Sequence, residues 1–249
     1  MTASHNPGGP DADFGLKFNC SNGGPAPDSF TNKIFEETKT INKYLICSDL
    51  QCDFNTVGSY TYDIEGSPFI VEVIDPCHDY VELMKTIFDF PAIRELLAGD
   101  FKLLINSLHG ATGPYAEKIF IEELGCDPCC CQKTNVLPDF GGGHPDPNLT
   151  YAADLVDAMS AGEHEFGAAF DGDGDRNMIL GRGAFFVTPC DSLAVLANNL
   201  ELIPWFRGKV GGGVARSMPT SGALDRVAAT RGLECFDTPT GGSRGARLD

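Results

Sequence analysis

Apolar residues recur at helical and strand spacings through the middle of the chain, and the two patterns alternate. Residues 80–98 carry apolar side chains three or four positions apart, which predicts a helix with an interruption at Pro91. The segment 103–108, LLINSL, predicts a buried strand. Residues 114–124 predict a helix with proline in its first turn and Gly125 at its end. Such alternation is typical of an α/β fold.

The same alternation continues towards the carboxyl end of the chain. Thr150 is expected to cap a helix, and the segment 166–170, FGAAF, predicts the strand that follows it. The short apolar run NMIL at 177–180 predicts another strand, so the acidic loop between the two runs should join two strands. Two further helices are predicted at residues 191–202 and 220–231.

The acidic loop in the segment FDGDGDRNMI places Asp171, Asp173 and Asp175 at alternate positions. The glycines between them allow the backbone to curl until the three carboxylates converge. Carboxylate oxygens are the preferred ligands of a hard divalent cation, and three unpaired acids this close would repel each other. We therefore predict a metal-binding loop at the carboxyl end of a strand, where open α/β sheets commonly place ligands.

Two other interpretations of this loop are weaker. An EF-hand counted from Asp171 requires glycine at its sixth position and glutamate at its twelfth, where the sequence has Arg176 and Arg182. An acidic, solvated turn rarely combines three aspartates with an arginine.

The segment TASHNPGGP at residues 2–10 places Ser4 beside His5, before a Pro-Gly-Gly turn. Adjacent residues in extended backbone point to opposite sides, so in isolation the pair is better interpreted as a polar turn than as a nucleophile and its base. The predicted metal loop changes this weighting. A phosphoserine carries three acceptor oxygens and nearly two negative charges, which suit a hard cation.

These motifs together resemble the phosphoglucomutase family of phosphohexomutases. The matching segments are residues 2–9, the loop 171–176, and SMPTSGALDR at 217–226, while TPTG at 238–241 resembles the family's sugar-recognition loop. The matches follow the family's order across nearly the whole chain. They resemble the eukaryotic-type glucose enzyme more than the bacterial phosphomannomutase relatives.

The resemblance implies a phosphoserine enzyme in which Ser4 holds and donates the phosphoryl group. His5 and Lys17 match family positions near the reacting hydroxyl and are candidates for proton handling. The implied metal site holds one Mg²⁺ per chain. The metal ligands would be Ser4, Asp171, Asp173 and Asp175, and the substrate contacts would be Asp175, Arg176, Thr240 and Gly241.

The implied activity is that of an intramolecular phosphotransferase acting on hexose phosphates. Glucose 1-phosphate and glucose 6-phosphate would interconvert through glucose 1,6-bisphosphate, which also serves as activator. Two alternatives remain open: a non-catalytic structural or adhesion-associated relative, and an enzyme that prefers mannose phosphates. The resemblance further implies a cytoplasmic protein that is monomeric when full length.

The implied fold consists of three-layer α/β domains with mixed sheets. Residues 1–77 would form a partial first domain with the phosphoserine loop, and 78–187 a second domain with the metal loop. Residues 188–249 would begin a third domain with the start of the sugar-recognition loop. Because the family's chains are much longer, the first and third domains are expected to be truncated and turnover impaired.

Composition excludes several other classes of protein. The net charge of −17 argues against a nucleic-acid partner. No apolar run approaches the roughly 20 residues of a membrane-spanning helix, so no membrane partner is expected.

The ten cysteines are expected to be reduced thiols. Cys126 and Cys129 have the spacing of a zinc-binding pair, but no second pair follows, so a structural zinc site is not expected. Other conspicuous residues are interpreted as structural. These are Arg216 as a surface charge, Ser217 as a helix cap, the glycine runs 141–143 and 211–213 as turns, and His109 and His144.

Overall fold

The computed structural model of the chain describes residues 4–6, 8–9, 11–12, 18–48, 50–209 and 212–239. Lys17, Thr240 and Gly241 lie outside these residues, as does the first glycine of the run 211–213. What was expected of them stays a prediction.

Helices and strands alternate along most of the described chain. The helices are α1 (Asp28–Thr38), α2 (His78–Ile87), α3 (Phe90–Leu97), α4 (Gly113–Ala116), α5 (Ala153–Ser160), α6 (Pro189–Asn198) and α7 (Ala223–Arg231). The strands are β1 (Gly58–Ile64), β2 (Ser67–Val73), β3 (Leu103–Asn106), β4 (Cys131–Gln132), β5 (Phe166–Phe170), β6 (Asn177–Gly181), β7 (Phe185–Val187), β8 (Gly213–Ser217) and β9 (Glu234–Thr238).

The centre of the molecule is a five-stranded mixed sheet with the order β4-β3-β5-β6-β7. β3 runs parallel to β4 and to β5, whereas β6 is antiparallel to both β5 and β7. All four residues of β3 are buried, as expected for a central strand with helices on both faces. The predicted mixed α/β sheet is therefore confirmed.

Two apolar clusters pack on opposite faces of this sheet. Leu104 belongs to one cluster, together with Leu155 and Met159 of α5. Leu103 and Ile105 belong to the other, which lies under α3 and α4. Neighbouring residues of β3 supply different clusters because successive side chains of a strand point to opposite faces. The result is the predicted three-layer arrangement.

The regions on either side of this domain form smaller sheets. β1 and β2 make an antiparallel hairpin, and no residue of α1 is buried. Large apolar side chains of the hairpin region, such as Ile70 and Phe69, are exposed. On the carboxyl side, β8 and β9 pair in parallel, with α7 as their crossover.

Several predicted elements are confirmed with shifted bounds. The helical pattern of 80–98 is two helices, α2 and α3, and the Asp89 carboxylate caps the second by accepting a hydrogen bond from the Ala92 amide. Pro91 lies in the first turn of α3, so the break falls just before it. The strand predicted at 103–108 ends at Asn106 because Leu108 has a positive φ.

Two other helices also differ in their bounds from the sequence pattern. α4 continues as a π-helix over Glu117–Glu123 and ends before Gly125, whose φ is positive. α6 ends at Asn198, and a short 3₁₀ turn at Leu200–Leu202 follows it.

Two predicted helix caps are wrong. α5 begins at Ala153 with no side-chain cap, and the Asn148 carboxamide accepts the hydrogen bond from the Thr150 amide instead. Ser217 ends β8 rather than capping α7, and its hydroxyl lies 2.8 Å from that of Thr220.

Two other structural assignments need correction. Arg216 is not a free surface charge, since its side chain is 13% exposed and is paired with Asp225 and Asp237. Residues 141–143 lie in a turn as predicted, but Gly213 belongs to β8. Within the described part of the chain, no helix has the length and apolar character needed to cross a bilayer.

Candidate active site and metal centre

The acidic loop connects β5 to β6 as a tight strand-to-strand turn. Phe170 pairs with Asn177 at its base, and the Asp171 amide donates a hydrogen bond to the Arg176 carbonyl over 3.2 Å. The amide of Gly174 in turn donates to the Asp171 carbonyl, and Gly174 has a φ of 80°, a conformation that favours glycine. The loop therefore lies at the carboxyl end of β5, as the sequence predicted.

The loop brings its three carboxylates together. One oxygen each from Asp171, Asp173 and Asp175 lies within 4.8 Å of the others. Asp171 is buried, Asp173 is partly buried and Asp175 is exposed, so the cluster runs from the sheet edge to solvent. A hard cation that prefers oxygen ligands fits this donor set.

Ser4 lies against this cluster although 167 residues separate it from Asp171. Its hydroxyl donates a hydrogen bond of 2.7 Å to Asp171 Oδ2. The backbone around Ser4 approaches the loop so closely that a Cβ on Gly172 would overlap the Ser4 carbonyl oxygen. A glycine at 172 is thus required for the two segments to meet.

Arg176 links the serine to the acidic loop. Its backbone amide and its Nε each donate to Asp171 over 3.0 Å. Its Nη2 donates to the Ser4 hydroxyl over 3.0 Å and also contacts His5 Nδ1. The guanidinium thus offsets the buried negative charge of Asp171 and also contacts the Ser4 hydroxyl.

His5 lies on the same side as Ser4, with its Nδ1 3.3 Å from the serine hydroxyl. The general expectation that adjacent side chains diverge does not hold here because the segment is a bend rather than a strand. Its ring also meets His144 edge-on, with 6.2 Å between the ring centroids. His144, which was interpreted as structural, packs on Tyr151 and borders the site.

Asp146 is the site residue that sequence reasoning missed. Its carboxylate pairs with Arg176 Nη1 over 3.3 Å, on the side of the guanidinium away from Ser4. Asp146 lies in the segment HPDPN at residues 144–148, to which the sequence analysis assigned no role beyond a structural His144. Nothing in that spacing indicates an approach to Arg176, because the two residues are 30 positions apart.

A cavity of about 540 Å³ opens beside the exposed side of the loop. Asp173 and Asp175 form one wall, and Phe18, Asn19 and Pro25 of the amino-terminal segment are among the residues opposite. The cavity is large enough for a small polar ligand that reaches the acidic cluster.

Asn106 and Asp154 stabilise the same edge of the sheet. The Asn106 amide and Lys133 Nζ both reach Asp154 Oδ2, over 3.1 Å and 2.9 Å. Burial alone would raise the pKa of the Asp154 carboxyl, but the hydrogen bond and charge of Lys133, together with hydrogen bonds from Asn106 and the Leu155 amide, outweigh it, so this pKa is lowered.

Two family models match the chain. Residues 78–183 match the phosphoglucomutase/phosphomannomutase alpha/beta/alpha domain II, and residues 1–45 match the alpha/beta/alpha domain I. The chain belongs to the phosphoglucomutase/phosphomannomutase family. The resemblance inferred from the serine and aspartate motifs is confirmed.

Individual members of this family align with nearly the whole chain. Human phosphoglucomutase-1 is 55% identical over 97% of this chain, and human phosphoglucomutase-like protein 5 is 52% identical over the same share. The crystal structure of pp63/parafusin, a phosphoglucomutase from Paramecium, superposes with a TM-score of 0.83 at 48% identity over 96% of this chain. The alignments cover 44%, 43% and 44% of those proteins, so the chain spans less than half their length.

Proposed function

We propose that this chain carries the phosphoserine and magnesium half of a phosphoglucomutase active site. The proposal rests on one observation: the Ser4 hydroxyl lies 2.7 Å from Asp171 inside a cluster of three carboxylates. The 55% identity to human phosphoglucomutase-1 supports glucose phosphates as the substrates. Glucose 1-phosphate and glucose 6-phosphate would interconvert through glucose 1,6-bisphosphate.

Ser4, Asp171, Asp173 and Asp175 would hold one Mg²⁺, with a phosphoryl oxygen on Ser4 as the fourth ligand. Bound there, the ion would neutralise charge on the phosphoryl group as it is transferred. The protein's own task is positioning. Asp171 holds the serine side chain by a hydrogen bond, and the close approach at Gly172 fixes the serine backbone against the loop.

Arg176 would bind the phosphoryl group on its way between Ser4 and the sugar. Its Nη2 already donates to the Ser4 oxygen, and an arginine fork matches phosphate geometry. Asp146 would act as a positioning residue that keeps the guanidinium turned towards the serine.

Proton handling is proposed for His5, whose Nδ1 lies 3.3 Å from the reacting hydroxyl. Lys17 would share this role, and Thr240 and Gly241 would contact the sugar, on the strength of the family resemblance alone. Asp175 is proposed as a substrate contact because it lines the cavity beside the loop.

The three-part division at residues 77 and 187 is proposed for the organisation of the chain. The complete protein is proposed to be a cytoplasmic monomer that acts on hexose phosphates.

A coupled assay tests the activity of this chain. Glucose 1-phosphate is supplied with Mg²⁺ and glucose 1,6-bisphosphate, and glucose 6-phosphate is measured. Turnover would support the proposal, whereas its absence would leave only the donor role of Ser4 for this polypeptide. Intact-mass analysis after incubation with the bisphosphate tests that role, since one phosphoryl group should be gained and the Ser4→Ala variant should gain none.

The ligand role of Asp173 has its own test. Asp173→Ala is expected to abolish magnesium-dependent phosphorylation of Ser4, a loss of at least about 10²-fold in rate. Asp157→Ala is the matched control, because Asp157 is an exposed aspartate on α5. Unchanged phosphorylation of the Asp173 variant would refute the ligand role.

A further inference from the structure

The turn at residues 139–144, here called the clamp turn, touches the segment around Ser4 at more than one point. We propose that Asp139 and His144 of this turn are positioning residues, which hold the serine segment against the acidic loop and thereby set the rate of phosphoryl transfer at Ser4. The effect on rate depends on the donor role proposed for Ser4, whereas the positioning itself does not.

Asp139 contacts the backbone of the serine segment. Its Oδ1 accepts a hydrogen bond of 3.1 Å from the Gly8 amide, although 131 positions separate the two residues. This bond holds the segment on the carboxyl side of Ser4. Asp139 is exposed, and a hydrogen bond open to water contributes little net stability. The bond is therefore better suited to fixing the position of the segment than to stabilising the fold.

Phe140 supplies a second contact next to Ser4. Its ring lies against Gly172 of the acidic loop, where a Cβ would overlap both the ring carbons Cε1 and Cζ and the Ser4 carbonyl oxygen. The ring and the serine backbone thus pack against the same glycine. The clamp turn therefore contacts the acidic loop as well as the serine segment.

His144 contacts the residue that follows Ser4. Its ring meets the His5 ring edge-on, with 6.2 Å between the ring centroids, and Tyr151 packs on it with 4.1 Å between the ring centroids. Edge-on contacts between aromatic rings are favourable and depend on orientation. His144 thus restrains the ring of His5, whose Nδ1 faces the serine hydroxyl.

The backbone of the clamp turn is strained. Asp139, Phe140 and Gly141 follow one another in the left-handed region, with φ angles of 48°, 53° and 67°. Aspartate tolerates this conformation better than most residues, but a phenylalanine in it is an outlier. Such backbone persists only where the surrounding structure holds it, and it is concentrated at functional sites. Two strained residues in succession, each in contact with the serine segment or the loop beside it, therefore favour a functional role for the turn.

Position matters here because phosphoryl transfer needs the donor, the phosphoryl group and the acceptor in line. Displacing a reacting group by about 1 Å can lower a rate by about 10²-fold. Asp171 and Arg176 already hold the Ser4 hydroxyl. The clamp turn adds restraints at His5 and at Gly8, so the backbone on the carboxyl side of the serine is held as well.

Substitutions at Asp139 separate the hydrogen bond from the backbone strain. Glycine and asparagine both tolerate a positive φ, but only asparagine keeps an oxygen that can accept from the Gly8 amide. Asp139→Gly is expected to speed solvent exchange of the Gly8 amide, measured by NMR on the full 249-residue chain. It should also slow Ser4 phosphorylation by glucose 1,6-bisphosphate about tenfold. Asp139→Asn is the matched control and should leave both rates nearly unchanged.

Substitutions at His144 test the ring contact. His144→Ala should slow phosphorylation of Ser4, while the half-saturating concentration of the bisphosphate stays nearly unchanged, because the ring positions His5 and does not bind the ligand. His144→Phe keeps an aromatic ring next to His5 and should restore most of the rate. An equal loss in both variants would contradict a positioning role for the ring.

The exchange and phosphorylation measurements fail separately. A Gly8 amide that exchanges at the wild-type rate in Asp139→Gly would overturn the positioning, whether or not Ser4 is phosphorylated. Faster exchange with an unchanged phosphorylation rate would overturn the effect on rate. A wild-type chain that gains no phosphoryl group would defeat the proposed function and the effect on rate together, and the exchange measurement alone would then decide the positioning. Circular dichroism checks that each variant folds, and His144→Ala carries the test if Asp139→Gly does not fold.

Discussion

The two edges of the central sheet carry ionisable side chains of different chemistry. At the carboxyl edge, the β5–β6 loop presents three carboxylates next to Ser4. At the amino edge, the turn before β4 presents four thiols. Within the described residues, the carboxyl edge gathers three ligand atoms closely enough to hold a cation and the thiols do not, because local loop geometry decides where ligand atoms converge.

The ionisable side chains at the two edges also differ in what they need in order to be buried. The Asp171 carboxylate is fully buried and needs the Arg176 guanidinium to offset its charge. The thiols can remain neutral: burial is the main cause that raises the pKa of Cys126 to about 11, and the hydrogen bond with Cys131 is the main cause that raises the pKa of Cys130. A neutral thiol packs in an apolar cluster without a partner, which a carboxylate cannot do.

The largest effect on stability is expected from a substitution in the core of the sheet, between the two edges. Leu104 lies in β3 between them and is 2% exposed. Leu104→Ala should lower the free energy of unfolding by about 2–5 kcal/mol, since it leaves a cavity in the core. Urea denaturation measures this. Ile70→Ala, at a side chain 64% exposed, is the control and should stay within about 0.5 kcal/mol of the wild type. Equal losses in both variants would show that the hairpin and the sheet are equally well packed.

A change confined to the carboxyl edge should weaken the proposed magnesium site without disturbing the core of the sheet. Asp171→Asn removes the charge that faces Arg176 and one proposed magnesium ligand. We expect Mg²⁺ affinity, measured by calorimetry, to fall at least tenfold, or about 1.4 kcal/mol. The far-ultraviolet circular dichroism spectrum should be unchanged. A parallel loss of its helical signal would mean that the variant is unfolded and not specifically impaired in metal binding.

A smaller effect is expected from Asp146, which touches the site only through Arg176. Asp146→Asn weakens an ion pair whose arginine is 41% exposed, so the change should be within about 1 kcal/mol. The concentration of glucose 1,6-bisphosphate that half-saturates Ser4 phosphorylation should rise by a few-fold, with the maximal rate nearly unchanged. Asp157→Asn serves as the control. A fall in the maximal rate alone would argue against a positioning role.

The smallest effect concerns the pH dependence of the carboxyl edge. The folded pKa of Asp154 is lowered, so its contribution to stability is present above the pKa of the unfolded chain and is lost as pH falls towards the folded value. Lys133→Met should raise the Asp154 pKa, as followed by NMR titration, and should reduce the loss of stability between neutral and acidic pH. The pair is partly exposed, so the change should be a fraction of a kcal/mol. Lys118→Met, which removes only the surface pair with Glu122, should leave the Asp154 titration unchanged.

Local features of this protein could be predicted where a short run of residues is itself the physical cause of the local structure. The strand-loop-strand at 166–180 follows from two apolar runs and the glycines between the aspartates, and it was predicted with its carboxylates together. The helix start at residue 150 was misplaced because Asn148 accepts hydrogen bonds from the Thr150 and Tyr151 amides in a turn that precedes α5. Ser217 was misplaced for a related reason, since β8 continues through it by pairing with Thr238.

By itself, the sequence determined several of the helices and strands between residues 80 and 231, and which loop gathers three acidic groups, because periodicity and turn chemistry act over a few residues. Only the tertiary structure decided which distant groups meet. Ser4 reaches Asp171, Asp146 reaches Arg176, and His164 lines a cavity together with Cys126. These approaches depend on the order and direction in which the strands pair, and on the close packing of segments far apart in the chain.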